Sequence, residues 1–220
     1  MPMVPTLEYR ALNRPVFDAI PTSARRILDL GCGTGSLGRA VKARQMTEVT
    51  GVTYSTTEAD EARLHLDRVI VSDLNTYNPI DLGQFDCIVC SHVLEHLYWP
   101  AELLRSMYPV LDPGGRLVVA LPNPLVWRQR VRFLCGQFRY TDGGLMDSTH
   151  FRFFDWSTAR ALVTGAGFRE VSADADGGFP LARLLPGIGG WLSQAAVRVA
   201  PGLFGWQFVI IAEPFTERAA

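Results

Sequence analysis

The sequence predicts an α/β fold, a mostly parallel sheet with helices on both faces, in a single domain over 1–220. Three observations carry that expectation. Short β-branched runs alternate along the chain with stretches of helix-forming composition, the pattern that places crossover helices between parallel strands. The run Ile27-Leu28-Asp29-Leu30-Gly31-Cys32-Gly33-Thr34-Gly35-Ser36 ends an apolar strand in three alternate glycines. Such a turn is what open α/β sheets present at their ligand-binding edge. Finally, 220 residues suffice for one domain with a full core, and no repeat or linker marks a second.

The elements follow in order. Residues 1–24 form a helical lead-in, with an amphipathic helix over 8–20 that Pro15 interrupts or restarts. The first strand ends at the glycines, and a helix over 37–44 follows with Ser36 as its cap. EVTGVTY over 48–54 is β-branched and predicts the second strand. Helix-forming composition over 57–67 and RVIVS over 68–72 give the next helix and strand. The fourth strand spans 84–93, and a helix over 95–110 follows. Asp112-Pro113-Gly114-Gly115 predicts a turn, and RLVVA over 116–120 the fifth strand. Then come a helix over 125–136, a Gly- and Asp-rich loop over 137–147, and a helix over 157–165 with Ser157 as cap. Strands over 168–173 and 207–212 complete the set, with 179–205 inserted between them.

Composition excludes several classes. A formal net charge of −1 argues against a nucleic-acid partner, which calls for a basic excess. Arg128, Arg130, Arg132 and Arg139 cluster locally, as an anion site or as a solvated helix face. Cys87 and Cys90 form a C-x-x-C, but residues three apart on a strand point to opposite faces. They cannot share an ion, and the sequence predicts no metal site and four reduced thiols. The amino end lacks a secretory pattern, and the apolar stretches 184–197 and 199–212, separated by Arg198, fall short of the roughly 18 residues of a span. The expected location is the cytoplasm.

The glycine spacing separates candidate ligands. A dinucleotide fingerprint needs a third glycine where Ser36 stands. The pattern D-x-G-x-G-x-G instead resembles the first motif of class I S-adenosylmethionine-dependent methyltransferases. Ser91-His92-Val93-Leu94-Glu95-His96-Leu97 resembles their small-molecule H-V-L-E-H-L signature, and Asp112 to Leu117 their L-x-P-G-G-x-L turn. Asp147-Ser148-Thr149-His150-Phe151-Arg152-Phe153-Phe154 resembles a D-x-T-H-x-R-F-F segment of methyltransferases in surface-glycan and secondary-metabolite pathways. The resemblance covers about 25–213. It implies a Rossmann-like, seven-stranded fold whose last strand enters antiparallel.

It also implies S-adenosylmethionine as cofactor and S-adenosylhomocysteine as product. Asp29 would hold the cofactor's amino group, with Gly31, Cys32, Gly33 and Gly35 passing under its methionine part. The ribose-binding acidic residue expected at the second strand's end is replaced by Thr53, beside Tyr54, so that Ser55 or Glu58 shares the task. Asp73 and Leu74 would meet the adenine, unless Asp73 only starts a turn. Ser91 and His92 would line the pocket beside the sulfonium. Glu95 reads as a helix-start residue, and His96 as a catalytic candidate. Residues 124–156 form the substrate cap, where Asn123, Tyr140 and Arg152 are candidate substrate contacts. His150 is either a general base for a hydroxyl acceptor or a pin holding the cap.

The function implied is methyl transfer to a small molecule, foremost to an oxygen on a sugar or secondary metabolite. The alternatives are nitrogen, carbon or carboxyl acceptors, or a non-catalytic cofactor-binding module. The apolar insertion 179–205 serves core packing, self-association as a homodimer, or peripheral contact with a membrane carrying a lipid-linked substrate. Monomer and homodimer are both compatible with the sequence.

Overall fold

The computed structural model describes residues 11–180, 182–184 and 186–215; the part of the lead-in helix expected over 8–10 lies outside them. Seven strands, β1 (Arg26–Leu30), β2 (Glu48–Thr53), β3 (Arg68–Val71), β4 (Phe85–Ser91), β5 (Leu111–Pro122), β6 (Phe168–Gly177) and β7 (Gly205–Pro214), form one sheet. Their order is β3-β2-β1-β4-β5-β7-β6. β1 to β5 pair in parallel, and β7 runs antiparallel between β5 and β6, as the resemblance implied.

The helices are α1 (Arg14–Ala19), α2 (Ser36–Arg44), α3 (Thr56–Ala62), α4 (Pro100–Met107), α5 (Trp127–Leu134), α6 (Trp156–Gly165), α7 (Gly189–Val199) and α8 (Pro201–Phe204). Both sheet faces are covered, and strand alternation sorts the residues. Leu28, Leu30, Ile88, Cys90, Leu117 and Val119 pack with Leu104 and Met107 of α4 and Val163 of α6. Ile27, Cys87, Val89 and Val118 pack with Phe17 of α1 and Val41 of α2 on the other side. Each fully buried side chain of this kind contributes about 1.5–3 kcal/mol. Cys87 and Cys90 thus fall on opposite faces, and all four thiols are free, with only Cys135 exposed.

Several local expectations change. Ser36 is the first residue of α2 rather than its cap, because Gly35 takes the cap position in a left-handed conformation with φ of 80°. Asp155, not Ser157, caps α6: its Oδ1 accepts from the Thr158 amide at 2.7 Å, and Thr158 Oγ1 accepts from the Asp155 amide at 2.8 Å. The stretch 95–110 is not one helix. Leu94–His96 is a single 3-10 turn, and α4 begins only at Pro100, where a residue with fixed φ and no N–H starts a helix readily. The helix expected over 57–67 stops at Ala62.

The Asp112–Gly115 turn is absorbed into β5 as an outward bulge. Phe85 pairs with Leu111, yet two residues later Cys87 pairs with Arg116. The apolar insertion folds as α7 and α8, and its outer side stays exposed, with Trp191 at 69% and Val199 at 86%, so core packing does not account for all of it. No helix of the described residues is long and apolar enough to cross a membrane.

Phe208 of β7 is fully buried and its ring meets Trp156 of α6 edge-on at 5.3 Å. Phe208→Ala should lower unfolding free energy by about 3–5 kcal/mol, read as a reduced urea midpoint with an unchanged slope.

Candidate active site

The site forms where the strand order reverses, at the carboxyl ends of β1, β2 and β4. Leu30 pairs with Val52 on one side and Cys90 on the other, which levels the three strand ends. The glycine loop hooks onto a single carbonyl: Val52 O accepts from the Gly31 amide at 2.8 Å and the Cys32 amide at 2.9 Å. Gly31, Gly33 and Gly35 all have positive φ, which glycine adopts without strain. A Cβ on Gly31 would lie 2.8 Å from Val93, and one on Gly35 3.2 Å from Ala62, whereas one on Gly33 would meet nothing within 4 Å. Gly33 alone therefore faces open space, the place for a ligand.

Beneath the loop, Asp29 is buried and its Oδ2 has no hydrogen-bond partner. Burial pushes its carboxyl from 3.8 up to about 7, because a charge without water or partner is disfavoured. The Cys32 side chain is turned inward against β2, within 2.6 Å of where a Cβ on Gly51 would stand. Its thiol is pushed up by burial. Cys32 thus fills core under the loop, and its side chain is not a ligand contact.

At the end of β2, Thr53 Oγ1 donates to Glu58 Oε2 at 2.8 Å, and Ser55 caps α3 by accepting from the Glu58 amide at 3.3 Å. A carboxylate therefore does stand at this strand end, brought from the first turn of α3. Tyr54 is exposed beside it. Asp73 Oδ1 accepts from the amide and the side chain of Asn75, both at 2.9 Å, the turn-starting alternative. Leu74 packs into the core rather than into an open cleft.

The β4 end carries a connected polar group. His92 has φ of 53°, among the described residues the one non-glycine in the left-handed region, a strain that functional sites tolerate. Its Nε2 lies 2.7 Å from Gln207 Oε1. That amide's orientation is fixed, since Gln207 Nε2 donates to Asn13 Oδ1 and to Asp176 Oδ2. Its Nδ1 lies 3.5 Å from Glu95 Oε1. Burial opposes the charged ring, but Glu95 and Gln207 outweigh it and raise the His92 pKa. Ser91 Oγ accepts from Asn13 at 3.3 Å. Asn13, Gln207 and Glu95 were not singled out in the sequence as site residues; a glutamine opening the apolar run of β7 was the only local signal.

Glu95 is 1% exposed and neither carboxylate oxygen makes a hydrogen bond. His150 Nε2 stands 3.9 Å from its Oε1, and the rings of His96 and His150 meet edge-on at 4.6 Å. Burial lowers the His150 pKa. The structure thus unites the two catalytic candidates around a third residue.

The cap is clamped to this cluster, because the amides of Phe151 and Arg152 donate to Glu95 O at 2.9 and 3.0 Å. Arg152 donates to the Tyr98 carbonyl through Nε and Nη2, a pinning role. Asn123 is fully buried, donating to the carbonyls of Gly202 and Gly205 and accepting from the Leu125 amide. It fixes the end of β5 to the α8–β7 junction and is not an open substrate contact. Tyr140 is exposed and packs edge-on to Phe138.

The sequence profile described as "Methyltransferase domain" matches residues 8–173. The chain belongs to that family. This methyltransferase domain is 33% identical over 109 residues to a ubiquinone biosynthesis O-methyltransferase of Psychrobacter arcticus, covering 46% of this chain and 42% of that protein. It is 37% identical over 132 residues to one of Xylella fastidiosa, covering 56% and 53%. The chain thus matches about half the length of these curated relatives. A solved S-adenosylmethionine-dependent methyltransferase of Archaeoglobus fulgidus superposes with a TM-score of 0.65 at 22% identity, over 94% of this chain and 93% of that one.

S-adenosylmethionine is the cofactor of the methyltransferase domain, and the residues present fit it. The open cradle at Gly33 and the unpartnered carboxyl of Asp29 suit a ligand with a primary ammonium.

The methyltransferase domain with Gly33→Val should keep its fold by circular dichroism and lose S-adenosylhomocysteine binding by calorimetry. Asp29 gives a pH signature. Its folded pKa lies above the unfolded 3.8, so ionising it opposes folding, and stability from this group falls as pH rises from about 4 to about 7. An ammonium ligand selects the ionised form. Affinity for S-adenosylhomocysteine should therefore rise up to pH 7 and then level, with about one proton released per ligand at pH 6. Calorimetry in buffers of different ionisation enthalpy measures that release, and Asp29→Asn should abolish it.

Proposed function

We propose that this chain transfers the methyl group of S-adenosylmethionine to a hydroxyl oxygen of a small molecule, on a sugar or a secondary metabolite. One observation carries the oxygen acceptor: His96 and His150 meet beside a buried carboxylate at the strand end that follows the glycine loop. A hydroxyl must shed a proton as it attacks, whereas a carboxylate acceptor needs no base. The relatives' printed names, ubiquinone biosynthesis O-methyltransferase, point the same way.

The cofactor supplies a methyl group on a positively charged sulfur, with a neutral thioether as leaving group. The protein's residues bind, orient and exclude water. Asp29 and the Gly33 cradle take the amino-acid end. Thr53 and Glu58 together present a carboxylate to the ribose, which compensates for the neutral residue at 53. Ser91 and His92 flank the reacting group. Exposed rings at Tyr140, Phe138 and Phe151 offer flat apolar faces to an acceptor ring.

The test is incubation with isotopically methyl-labelled S-adenosylmethionine and a panel of phenols, sugars, amines and carboxylic acids, read by product mass. Label on a hydroxyl oxygen supports the reading; label on nitrogen, carbon or carboxylate overturns it. His150→Ala should lower turnover by about 10²–10⁴-fold while S-adenosylhomocysteine affinity stays within about twofold. Glu58→Gln should do the reverse, weakening cofactor affinity about tenfold, the worth of one charge-assisted hydrogen bond.

A further inference from the structure

We propose that Glu95, His96 and His150 form a binding site for one divalent transition-metal ion, zinc-like in its ligand preference, that receives the acceptor's hydroxyl. The proposal rests on the oxygen-acceptor reading for its role, and on geometry alone for the ion. One potential ligand atom from each of the three residues lies within 4.8 Å of the other two. Tetrahedral coordination at about 2.0–2.2 Å brings ligand atoms to roughly 3.4 Å apart. The ligand atoms need to draw together by at most about 1.4 Å, within reach of rotamer adjustment.

Three further observations point to a cation. The first is the carboxylate of Glu95, whose two oxygens are buried without hydrogen bonds and face imidazole rings alone, His92 at 3.5 Å and His150 at 3.9 Å, a setting that a cation between the carboxylate and His150 would complete.

The second is the tautomer of His96. Thr149 Oγ1 donates its proton to Asp147 Oδ1 at 2.7 Å, so toward His96 Nδ1, at 3.0 Å, it acts as an acceptor. The Thr149 carbonyl accepts at the same nitrogen, at 3.2 Å. Nδ1 therefore carries the proton, and Nε2 keeps its lone pair. Histidine ligands are typically held in this way, by a second-shell acceptor on the far nitrogen.

The third is support behind the carboxylate. His92 stands 3.5 Å from Glu95 Oε1, is itself fixed by Gln207, and orients the carboxylate from the other side. His150 is buried while His96 is partly exposed, which leaves an entry side. The expectation of no metal came from the cysteines alone, and these three ligands are separated by up to 55 positions in the chain.

Two imidazoles and one carboxylate suit zinc, cobalt, nickel or iron rather than magnesium, which prefers oxygen. Three protein ligands leave a position open. A hydroxyl ligated there loses its proton to solvent more easily. The oxygen's electron pair then forms the bond to the methyl carbon, and the carbon–sulfur bond breaks onto sulfur. The products are the methyl ether, S-adenosylhomocysteine and one proton, with no change of oxidation state.

The test titrates chelator-stripped protein with Co2+, read by its visible absorption, and with Zn2+ by calorimetry. The proposal expects one ion per chain with micromolar or tighter affinity, no competition from Mg2+, and weakening of at least about 100-fold in His96→Ala. That residue is partly exposed, so its variant keeps the fold, checked by circular dichroism and S-adenosylhomocysteine binding. Glu95→Gln and His150→Ala should weaken the ion likewise. Absence of binding, or binding undiminished in His96→Ala and His150→Ala, overturns the site. Tight binding with label transferred only to nitrogen leaves the ion site standing and overturns the oxygen reading. Full hydroxyl methylation in metal-free protein overturns the ion's role in receiving the hydroxyl and leaves the oxygen reading standing.

Discussion

Everything at the ligand edge depends on one carbonyl. Val52 O accepts from two successive amides of the glycine loop, which ties the end of β1 to β2 just where the loop must turn. That pair of hydrogen bonds sets the height of the loop above Asp29 and places Gly33 over open space. It also requires the Cys32 side chain to dive toward β2, which is possible only because residue 51 is glycine. A side chain at 51 would strike Cys32 Sγ at 2.6 Å and lift the loop from its anchor. A strand glycine normally weakens a sheet. Here it is the cavity into which the loop's underside packs.

Two carboxyls then stand out among the buried polar groups. Asp29 and Glu95 each carry unpartnered oxygen, and a well-packed core has no reason of its own to hold them. They sit below the ends of adjacent strands, β1 and β4, one on each side of the switch point. Glu95 faces the rings of His92 and His150 at 3.5 and 3.9 Å, while the buried Asp29 Oδ2 has no hydrogen-bond partner. Asp29 lies under the glycine loop, and Glu95 lies beside the cap, whose Phe151 and Arg152 amides donate to its carbonyl. The charge at Asp29 depends on pH, because burial pushes its carboxyl up to about 7.

Much of this architecture was legible because the strands are short apolar runs with alternating faces, a local signal. The failures share a physical reason. Ser36 and Ser157 are good cap residues by type, but the left-handed turn at Gly35 and the box of Asp155 with Thr158 won by geometry. The 95–110 stretch has helical composition, yet Pro100 has no N–H to continue a helix from Glu95. Asn123 was read as an open polar residue because nothing in sequence places α8 against it. Asp29 and the glycines were legible since their roles follow from adjacent residues. The Glu95–His96–His150 cluster was not, because His150 reaches it only through the cap, more than fifty positions away.

Glu95 joins the end of β4 to the cap. Its side chain faces His92 and His150, while its backbone carbonyl receives the amides of Phe151 and Arg152. A single residue therefore fixes the cap's approach and the electrostatics beneath it. His92 links the same carboxylate to Gln207 in β7 and, through it, to Asn13 before α1. Elements from both ends of the chain are joined at this point. A shift of the cap would change the surroundings of Glu95 and, through the 3.5 Å contact, those of His92. The cap and the end of β4 thus meet through a set of polar contacts centred on Glu95, a residue whose type alone suggests nothing more than a favourable helix start.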